Sequence, residues 1–504
     1  MTSMNMNKLY IILILATSFF LTSCFEDETS FATRPLSEIT IEEGTVCEVY
    51  NIGKDEVLRI TPGIIQSNKQ KALTYTWEID LETYSHDKEF VYVGDKLGSY
   101  QCRLIVENED GKTFFPFVLN VNSPYEEGIT VLSKDTEGKS YLAFMLTPTD
   151  PSVKPEFIQG DCFSVNNPDM SLASNPTDIV QTSSFLLISC KGVDGSNTDI
   201  PSVYYLNEKT LVVENVVTAP EYADFKPNKL IVPSNTSQGI SYPVLCENDR
   251  AYELSVSEGA VISPIKLPYR YSQSCVINDG TYYDFLFWDK DINALCHIDT
   301  GYGPYYCNKT YHATRDSMNV DNYFRGKTFV SMVLIQRTKR QMSATNSEAI
   351  IFTQTGPQFE KVILSTSLFV YDAASGGNVF YDNGGIKSCG RMNNIKYQID
   401  AQTPCVANKT FRSMLYGKGN KVVRWYYDQD MTKADVLLTV GSSEAVITGF
   451  ELSEDHKKTY VAFYEPKQEG LNGSVWVFDT DKGTVLDRYD NVCYQPVKIM
   501  YKKK

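Results

Sequence analysis

Short segments in which apolar and polar residues alternate recur along the first part of the chain. Such alternation predicts β-strands that turn one face to a core and the other to solvent. Asp110-Gly111 is in addition a strong hairpin-turn signal. Residues 38–122 therefore predict a β-sandwich. Its clearest strand segments are 57–60, 73–79, 90–93, 100–106 and 114–121.

Residues 125–504 repeat a different unit, in which apolar strands are joined by tight turns. The clearest example is 475–486, where an alternating strand leads through Asp-Lys-Gly into a second strand. Most units follow one another after 43 to 54 residues, and one follows after 73. Propeller blades of four strands repeat at about 40 to 50 residues, so we predict a β-propeller with seven blades. Similar units begin near Val203, Tyr252, Leu295, Ala349 and Val422.

Two features of this repeat remain open in the sequence. The 73-residue interval holds either an extra blade or a long loop around the Gly-Gly pairs at 376–377 and 384–385. Strand 129–132 is expected to share a blade with 497–501, which would close the ring and remove sheet edges. A stack of further sandwiches is the alternative, but the Pro-rich linkers expected between such domains are missing. No long segment after residue 24 has helical periodicity, so the fold class is all-β.

Charge and cysteine content narrow the function classes. The net charge of −15 and the scarcity of Lys/Arg clusters argue against a nucleic-acid partner. Twelve cysteines are present, with no C-x-x-C pair, so a thiolate zinc site is not expected. We expect most of them to be buried as small apolar residues, with one to three disulfides. A Cys47–Cys102 disulfide is less favoured, because Cys47 lies thirty residues before Trp77.

The first 24 residues predict an exported and lipidated protein. Lys8 precedes an apolar run over 9–20, and Leu-Thr-Ser then leads directly into Cys24. A segment this short is a cleaved export signal more often than a spanning helix. The cysteine at the cut point resembles a bacterial lipobox, so residues 1–23 are predicted as the signal and Cys24 as the lipid attachment site. A plain secretory signal with a chance cysteine is the alternative.

The residues after Cys24 specify the membrane face. Glu26, Asp27 and Glu28 open an acidic tether over 24–37. This cluster resembles the surface-export signal of lipoproteins in one phylum of Gram-negative gut bacteria. It implies an outer-membrane protein that is anchored by its N-terminal lipid and faces the cell exterior. A solvated acidic linker is the alternative.

The sandwich segment resembles the immunoglobulin-like PKD fold. The matching residues are Tyr75 and Trp77 on one strand, Gly98 and Tyr100 at the start of another, and the closing Val-x-Asn-x-Asp-Gly over 106–111. With the lipobox, the acidic tether and the β-rich remainder, the chain resembles the PKD-like family lipoproteins of gut bacteria. That resemblance implies a place near an outer-membrane uptake transporter and its lipoprotein lid. It implies no catalytic residues.

Candidate chemistry is sparse. The four histidines have no metal-ligand spacing, and no nucleophile elbow or phosphate-binding glycine loop is present. We therefore predict no catalytic residue, no metal site and no cofactor. Asp428-Gln429-Asp430 and Asp479-Thr480-Asp481 are interpreted as turns rather than calcium ligands.

Aromatic clusters are the better binding signal. Two of them, 282–288 and 425–427, are expected to pack between blades. The third contains Gly303-Pro304 and predicts a loop at the mouth of the propeller that binds ligand through Tyr302, Tyr305 and Tyr306. The expected function is capture of an extracellular glycan or peptide. The alternatives are a polysaccharide hydrolase or lyase, and a purely structural partner of an uptake transporter.

Overall fold

Two separate units make up the chain in the computed structural model, residues 1–122 and 123–504. The described residues are 35–147, 158–182, 184–231, 241–247, 251–255, 260–265, 271–278, 284–289, 294–299, 309–310, 314–315, 318–319, 323–338, 348–365, 368–372, 377–381, 385–392 and 395–503. Among them, no helix is both long and apolar enough to cross a membrane.

The first unit is an immunoglobulin-like sandwich, as predicted. Five strands form one sheet in the order β2-β9-β8-β5-β6, and β1-β4 and β3-β7 form two smaller pairs. The strands are β1 Ile39–Ile41, β2 Val49–Gly53, β3 Val57–Ile60, β4 Ile64–Gln66, β5 Thr74–Ile79, β6 Glu82–Ser85, β7 Phe90–Val93, β8 Gly98–Asn108 and β9 Gly111–Asn122.

The core of the sandwich is built around Trp77, which is fully buried. Phe90 lies 4.9 Å from it and Phe117 6.1 Å, measured between ring centroids. Its indole N–H donates to the Asp87 carbonyl at 2.9 Å, so the one polar atom of the ring is satisfied. The interpretation of Trp77 as a core residue is confirmed.

The predicted hairpin between β8 and β9 is also present. Asn108 pairs with Gly111, so that two residues form the loop. The Asn108 side-chain oxygen accepts from the backbone N–H groups of Asp110 and Gly111. The amide thus supplies the turn contact that holds the register of the two longest strands.

The second unit is a β-propeller, and seven blades of four antiparallel strands are found among the described residues. Blades 5 and 6 belong to one eight-stranded sheet, because β27 and β33 pair in parallel. Blades 1 to 4 consist of β10 Gly128–Lys134, β11 Ser140–Leu146, β12 Ile158–Gln159 and β41 Gln495–Lys502; β13 Pro176–Gln181, β14 Phe185–Cys190, β15 Ser202–Asn207 and β16 Val213–Val217; β17 Pro227–Leu230, β18 Ser241–Cys246, β19 Ala251–Ser255 and β20 Ala260–Ile265; β21 Tyr271–Asn278, β22 Asp284–Asp289, β23 Ala294–Asp299 and β24 Lys309–Thr310.

The remaining blades follow the same meander. Two extra hairpins, β25 Thr314–Arg315 with β26 Met318–Asn319 and β30 Leu368–Asp372 with β31 Gly377–Tyr381, lie outside the seven blades. Blades 5 to 7 consist of β27 Thr328–Gln336, β28 Glu348–Thr355, β29 Gln358–Ser365 and β32 Gly385–Met392; β33 Cys405–Asn408, β34 Ser413–Lys418, β35 Lys421–Tyr426 and β36 Asp435–Thr439; β37 Val446–Leu452, β38 Lys458–Tyr464, β39 Gly473–Asp479 and β40 Val485–Cys493.

The ring closes as predicted, with the last strand in the first blade. β41 pairs antiparallel with β10, and Val131 lies opposite Ile499. Both side chains are buried in one apolar cluster with residues of blade 7. Lys502 at the end of β41 is also buried, and its ammonium donates to the Glu126 carbonyl at 3.0 Å. The C-terminal strand is therefore tied to the N-terminal edge of the propeller.

The described residues settle what the 73-residue interval contains. The 73-residue interval holds the inserted β30–β31 hairpin and no additional four-stranded blade. Among the described residues, helix is limited to Cys162–Asn166, a 3-10 turn at Met431–Lys433 and a helical piece at 323–324.

The expectation of one to three disulfides finds no bridge among the described cysteines. Most of these cysteines are buried, and burial raises the pKa of the Cys190, Cys246 and Cys493 thiols to about 12. They act as small apolar side chains, as also expected. The free thiols are Cys47, Cys102, Cys162, Cys190, Cys246, Cys389, Cys405 and Cys493.

Candidate functional site

The predicted lipid, export and loop residues cannot be placed, since they lie outside the described part of the chain. They are Cys24, Glu26, Asp27, Glu28, Tyr302, Tyr305 and Tyr306.

The two aromatic clusters expected to pack do so where they are described. Trp425 is fully buried and Trp288 almost so, and each belongs to an apolar cluster in the second unit.

A cavity of about 490 Å³ lies between blade 7 and blade 1, and we call it the seam cleft. One wall comes from β38, β39, β40 and the turn after β37. The other comes from residues next to β10 and β11 and from the end of β41. Its lining is Glu127, Thr147, Ser453, Glu454, Asp455, Lys458, Tyr460, Val477, Leu486, Asp487, Tyr489 and Tyr501.

Strand register explains the blade 7 wall. Tyr460 on β38 lies opposite Val477 on β39, and Val477 lies opposite Asp487 on β40. Residues directly opposite each other in a sheet share one face. One face of the blade therefore presents an aromatic, an aliphatic and an acidic side chain in a row.

Three tyrosines form the aromatic part of the cleft. Tyr460 stacks on Tyr501 of the closing strand, with ring centroids 5.6 Å apart and an interplanar angle of 18°. Tyr489 is 6% exposed and Tyr460 4%, so both rings are largely shielded by protein. The stack joins blade 7 to blade 1 across the closure of the ring.

Carboxylates outnumber cations along the lining. Four carboxylates line the cleft against the single ammonium of Lys458. Glu127 accepts a hydrogen bond from the Tyr501 hydroxyl. Glu454 and Asp455 form exposed ion pairs outside the lining, each at 3.8 Å, with Lys503 and Lys457. Such exposed pairs neutralise little, so the cleft is acidic.

Burial and nearby carboxylates raise the pKa values of the three tyrosines. Burial raises the pKa of Tyr460, and Glu451, Asp455 and Glu127 raise it further. Burial followed by hydrogen bonding to a carboxylate raises the pKa of Tyr489 and of Tyr501 in the same way. All three phenols therefore stay protonated at neutral pH and act as hydrogen-bonding groups rather than bases.

The Tyr460 hydroxyl makes no hydrogen bond with any described residue, although the side chain is 96% buried. Its neighbour Tyr501 has such a partner in Glu127. The hydroxyl oxygen is not one of the fully buried polar atoms without a partner, so it is reachable from the cavity, where water or a ligand can satisfy it. The cleft thus offers one polar group that is available to a ligand.

His456 lies in the turn that carries Asp455. Its backbone is in the left-handed region at φ +60°, and its backbone N–H donates to the Ser453 carbonyl at 2.8 Å. The imidazole is buried and Nδ1 has no hydrogen-bond partner. Burial lowers the pKa of His456 to about 4, so the ring is neutral at physiological pH. A neutral ring allows the turn to pack beneath the cleft.

The described residues contain no group of three metal-ligating side chains. The two acidic pairs interpreted as turns do cap turns. Asp430 accepts from the Thr432 backbone N–H, and Asp479 accepts from those of Asp481 and Lys482.

The seam cleft was not predicted from the sequence. Its tyrosines stand at 460, 489 and 501, on three strands, and form no sequence cluster. Only the strand register and the closure by β41 bring them together. The sequence did predict the pairing of 129–132 with 497–501, and extending that pairing would have indicated Tyr501 at the seam.

No family model and no curated protein matches the chain. A quinoprotein alcohol dehydrogenase-like protein from Bacteroides thetaiotaomicron is similar in structure, with 16% identity and a TM-score of 0.47 over 92% of this chain and 99% of its own.

Two other solved structures are similar over less of the chain. The dihydro-heme d1 dehydrogenase NirN has 9% identity and a TM-score of 0.36, over 79% of this chain and 72% of its own. The β-propeller domain of Cps50 (Swd1) from Myceliophteria thermophila has 9% identity and a TM-score of 0.34, over 63% and 88%. The fold assignment rests on the strand pairing itself.

Proposed function

We propose that this protein is a surface lipoprotein of the PKD-like family that captures an extracellular glycan or peptide for an outer-membrane uptake system. The lipobox at Cys24 and the acidic residues Glu26, Asp27 and Glu28 support the anchor and its outward orientation. The propeller supplies the binding surface, and the sandwich acts as the spacer on the lipid side of the chain.

The seam cleft carries the proposal of ligand capture. Its volume of about 490 Å³ falls in the range of small-molecule sites. Aromatic faces, carboxylates and the free Tyr460 hydroxyl give it both stacking and hydrogen-bonding groups. The predicted loop with Tyr302, Tyr305 and Tyr306 is a second contact in this proposal.

The binding test uses purified protein without its lipid. Incubation with a panel of neutral, acidic and basic glycans and peptides should give binding without turnover. Cleavage of a panel member would contradict the proposal. Replacing Tyr305 and Tyr306 with alanine should weaken binding and leave the melting temperature nearly unchanged, whereas a large loss of stability would place these rings in the core.

The anchor has its own test. Cys24→Ala should block lipidation, and the protein should then be released or keep its signal. Neutralising Glu26, Asp27 and Glu28 should leave the lipid in place and retain the protein inside the cell. Normal processing of the first variant, or unchanged protease accessibility of the second on whole cells, would contradict the respective assignment.

A polysaccharide hydrolase is the second candidate, and one observation favours it. Glu451 lies on β37, the first strand of blade 7, and burial raises the pKa of its carboxyl. A raised carboxyl pKa is one of the properties that a general acid needs. Lys498 on β41 lowers that pKa in part and itself lies 4.0 Å from Asp178. Turnover of a polysaccharide that Glu451→Gln abolishes would favour this candidate.

A third candidate is an assembly role without a ligand, in which the protein contacts the transporter and its lipoprotein lid. Co-purification from intact outer membranes in mild detergent tests it. Recovery of the protein alone at native abundance would contradict it.

A further inference from the structure

We propose that the ligand of the seam cleft is a basic peptide, bound through the ammonium or guanidinium group of a lysine or arginine side chain. This inference rests on the proposed function, because it takes the cleft as the binding site. It goes further in committing to one chemistry and one source of that chemistry.

The charge of the lining favours a cationic ligand. Glu127 stands on the blade 1 wall and Asp487 on the blade 7 wall, so that carboxylates face the cavity from both sides. Glu454 and Asp455 add to them at the turn after β37. A cleft lined mainly by one sign of charge concentrates ligands of the opposite sign. An anionic glycan would face repulsion from both walls.

The tyrosines of the lining also favour a cationic ligand. Tyr460 and Tyr501 stack on each other, so a cation meets the Tyr460 hydroxyl rather than a free ring face. Tyr460 and Tyr489 are more than nine-tenths buried, and Tyr501 stacks on the first of them. The Tyr460 hydroxyl adds an oxygen that has no partner among the described residues and can accept from a cationic N–H.

The aliphatic part of the lining favours a peptide over an amino sugar. Val477 and Leu486 line the same cavity beside Asp487. Lysine and arginine side chains combine an aliphatic stem with a charged head, and the stem packs on apolar surface while the head reaches polar groups. An amino sugar carries hydroxyls on every side and gains less from these aliphatic contacts.

Substituting Lys458 should change the affinity for a cationic ligand in the opposite direction to substituting a carboxylate. It is the one cation of the lining, it is exposed, and it forms no ion pair with a described residue. A cationic ligand is repelled by this ammonium. Lys458→Gln should therefore tighten binding of a basic peptide, while loss of a carboxylate should weaken it.

The experiment is calorimetric titration of the full mature chain with trilysine, with Nε-acetylated trilysine, with triglutamate and with a glucosamine trimer. Trilysine should bind, and its affinity should fall as salt rises. Asp487→Asn and Glu127→Gln should each weaken it about tenfold or more, since each removes a charge-assisted contact. Lys458→Gln should strengthen it severalfold.

The matched control is Glu444→Gln. This carboxylate is exposed, lies outside the cleft and pairs with Lys467 at 2.5 Å. It should leave the affinity unchanged. Thermal melts of all variants should agree within a few degrees. If a cleft variant melts early, Tyr460→Phe, which keeps the ring, takes its place in the binding comparison.

The outcomes separate this inference from the proposed function. Equal binding of trilysine and its acetylated form would overturn the cation chemistry. Binding of the glucosamine trimer alone would overturn the peptide source. Binding of a neutral glycan that Tyr460→Phe weakens would overturn the inference and leave ligand capture standing. Absence of any binding at the cleft would overturn both.

Discussion

Trp77 in the sandwich and Tyr460 in the seam cleft are both almost fully buried, but only Trp77 has its polar atom hydrogen-bonded to the described chain. The Trp77 N–H donates to the Asp87 carbonyl at 2.9 Å, in a core where Phe90 and Phe117 pack against the ring. The Tyr460 hydroxyl has no partner in the described chain and borders a cavity of about 490 Å³. Burial alone therefore does not separate a packing residue from a binding residue.

In an all-β protein of this kind, the hydrogen bonding of a buried ring indicates whether the ring serves stability or binding. A ring whose polar atom is satisfied within the protein serves stability. A ring that is shielded but leaves its hydroxyl without a protein partner keeps a contact for a ligand. The sandwich follows the first pattern at Trp77, and the closure between the last and first blades follows the second.

The largest effect is expected in the sandwich. Trp77→Ala removes the centre of the core and should lower the free energy of unfolding of this unit by about 3–5 kcal/mol. Urea unfolding followed by tyrosine and tryptophan fluorescence measures it, and ligand affinity should stay the same. Phe114→Ala is the control, because Phe114 is 48% exposed and should cost far less. Equal losses for the two variants would contradict the assignment of the core.

The closing strand should show the next largest effect. Ile499 on β41 is 2% exposed and packs with residues of blade 7. Ile499→Ala should destabilise the propeller by about 2–5 kcal/mol and, because Tyr501 is on the same strand, also weaken binding at the cleft. Val446→Ala, at an exposed position of β37, is the control. A destabilised variant with unchanged affinity would show that the cleft does not depend on ring closure.

Acid should act on the turn beneath the cleft. Burial lowers the pKa of His456 from its usual 6.5 to about 4, so protons bind the unfolded state more readily. Above pH 6.5 the buried neutral ring causes no loss of stability. As pH falls from 6.5 towards 4, the free energy of unfolding decreases by at most about 3 kcal/mol.

His456→Asn should reduce this loss, since asparagine tolerates the left-handed backbone and does not titrate. Melting temperatures at pH 7 and pH 4.5 measure it, and the exposed His86→Asn serves as control. An equal drop in both variants would contradict the role of His456.

The sequence predicted features that depend on residues close together in the chain, and it missed those that depend on the pairing of distant strands. Alternation and turn residues predicted the strand at 57–60, the hairpin at Asp110-Gly111 and the core role of Trp77, because these depend on near neighbours. The closure of 129–132 with 497–501 followed from the general need to remove sheet edges. The cleft could not be found this way, because Tyr460 and Asp487 meet only through the register of three strands.

The most direct test of the cleft as the binding site is hydrogen exchange of the full chain, with and without the panel member that binds it. We expect slower exchange in 453–460, 485–489 and 495–501, with no change in the sandwich strand 74–79. The same measurement on Tyr460→Phe should show weaker protection at equal ligand concentration. Protection confined to the sandwich or to residues 301–306, with none at the seam, would show that the seam cleft is not the binding site.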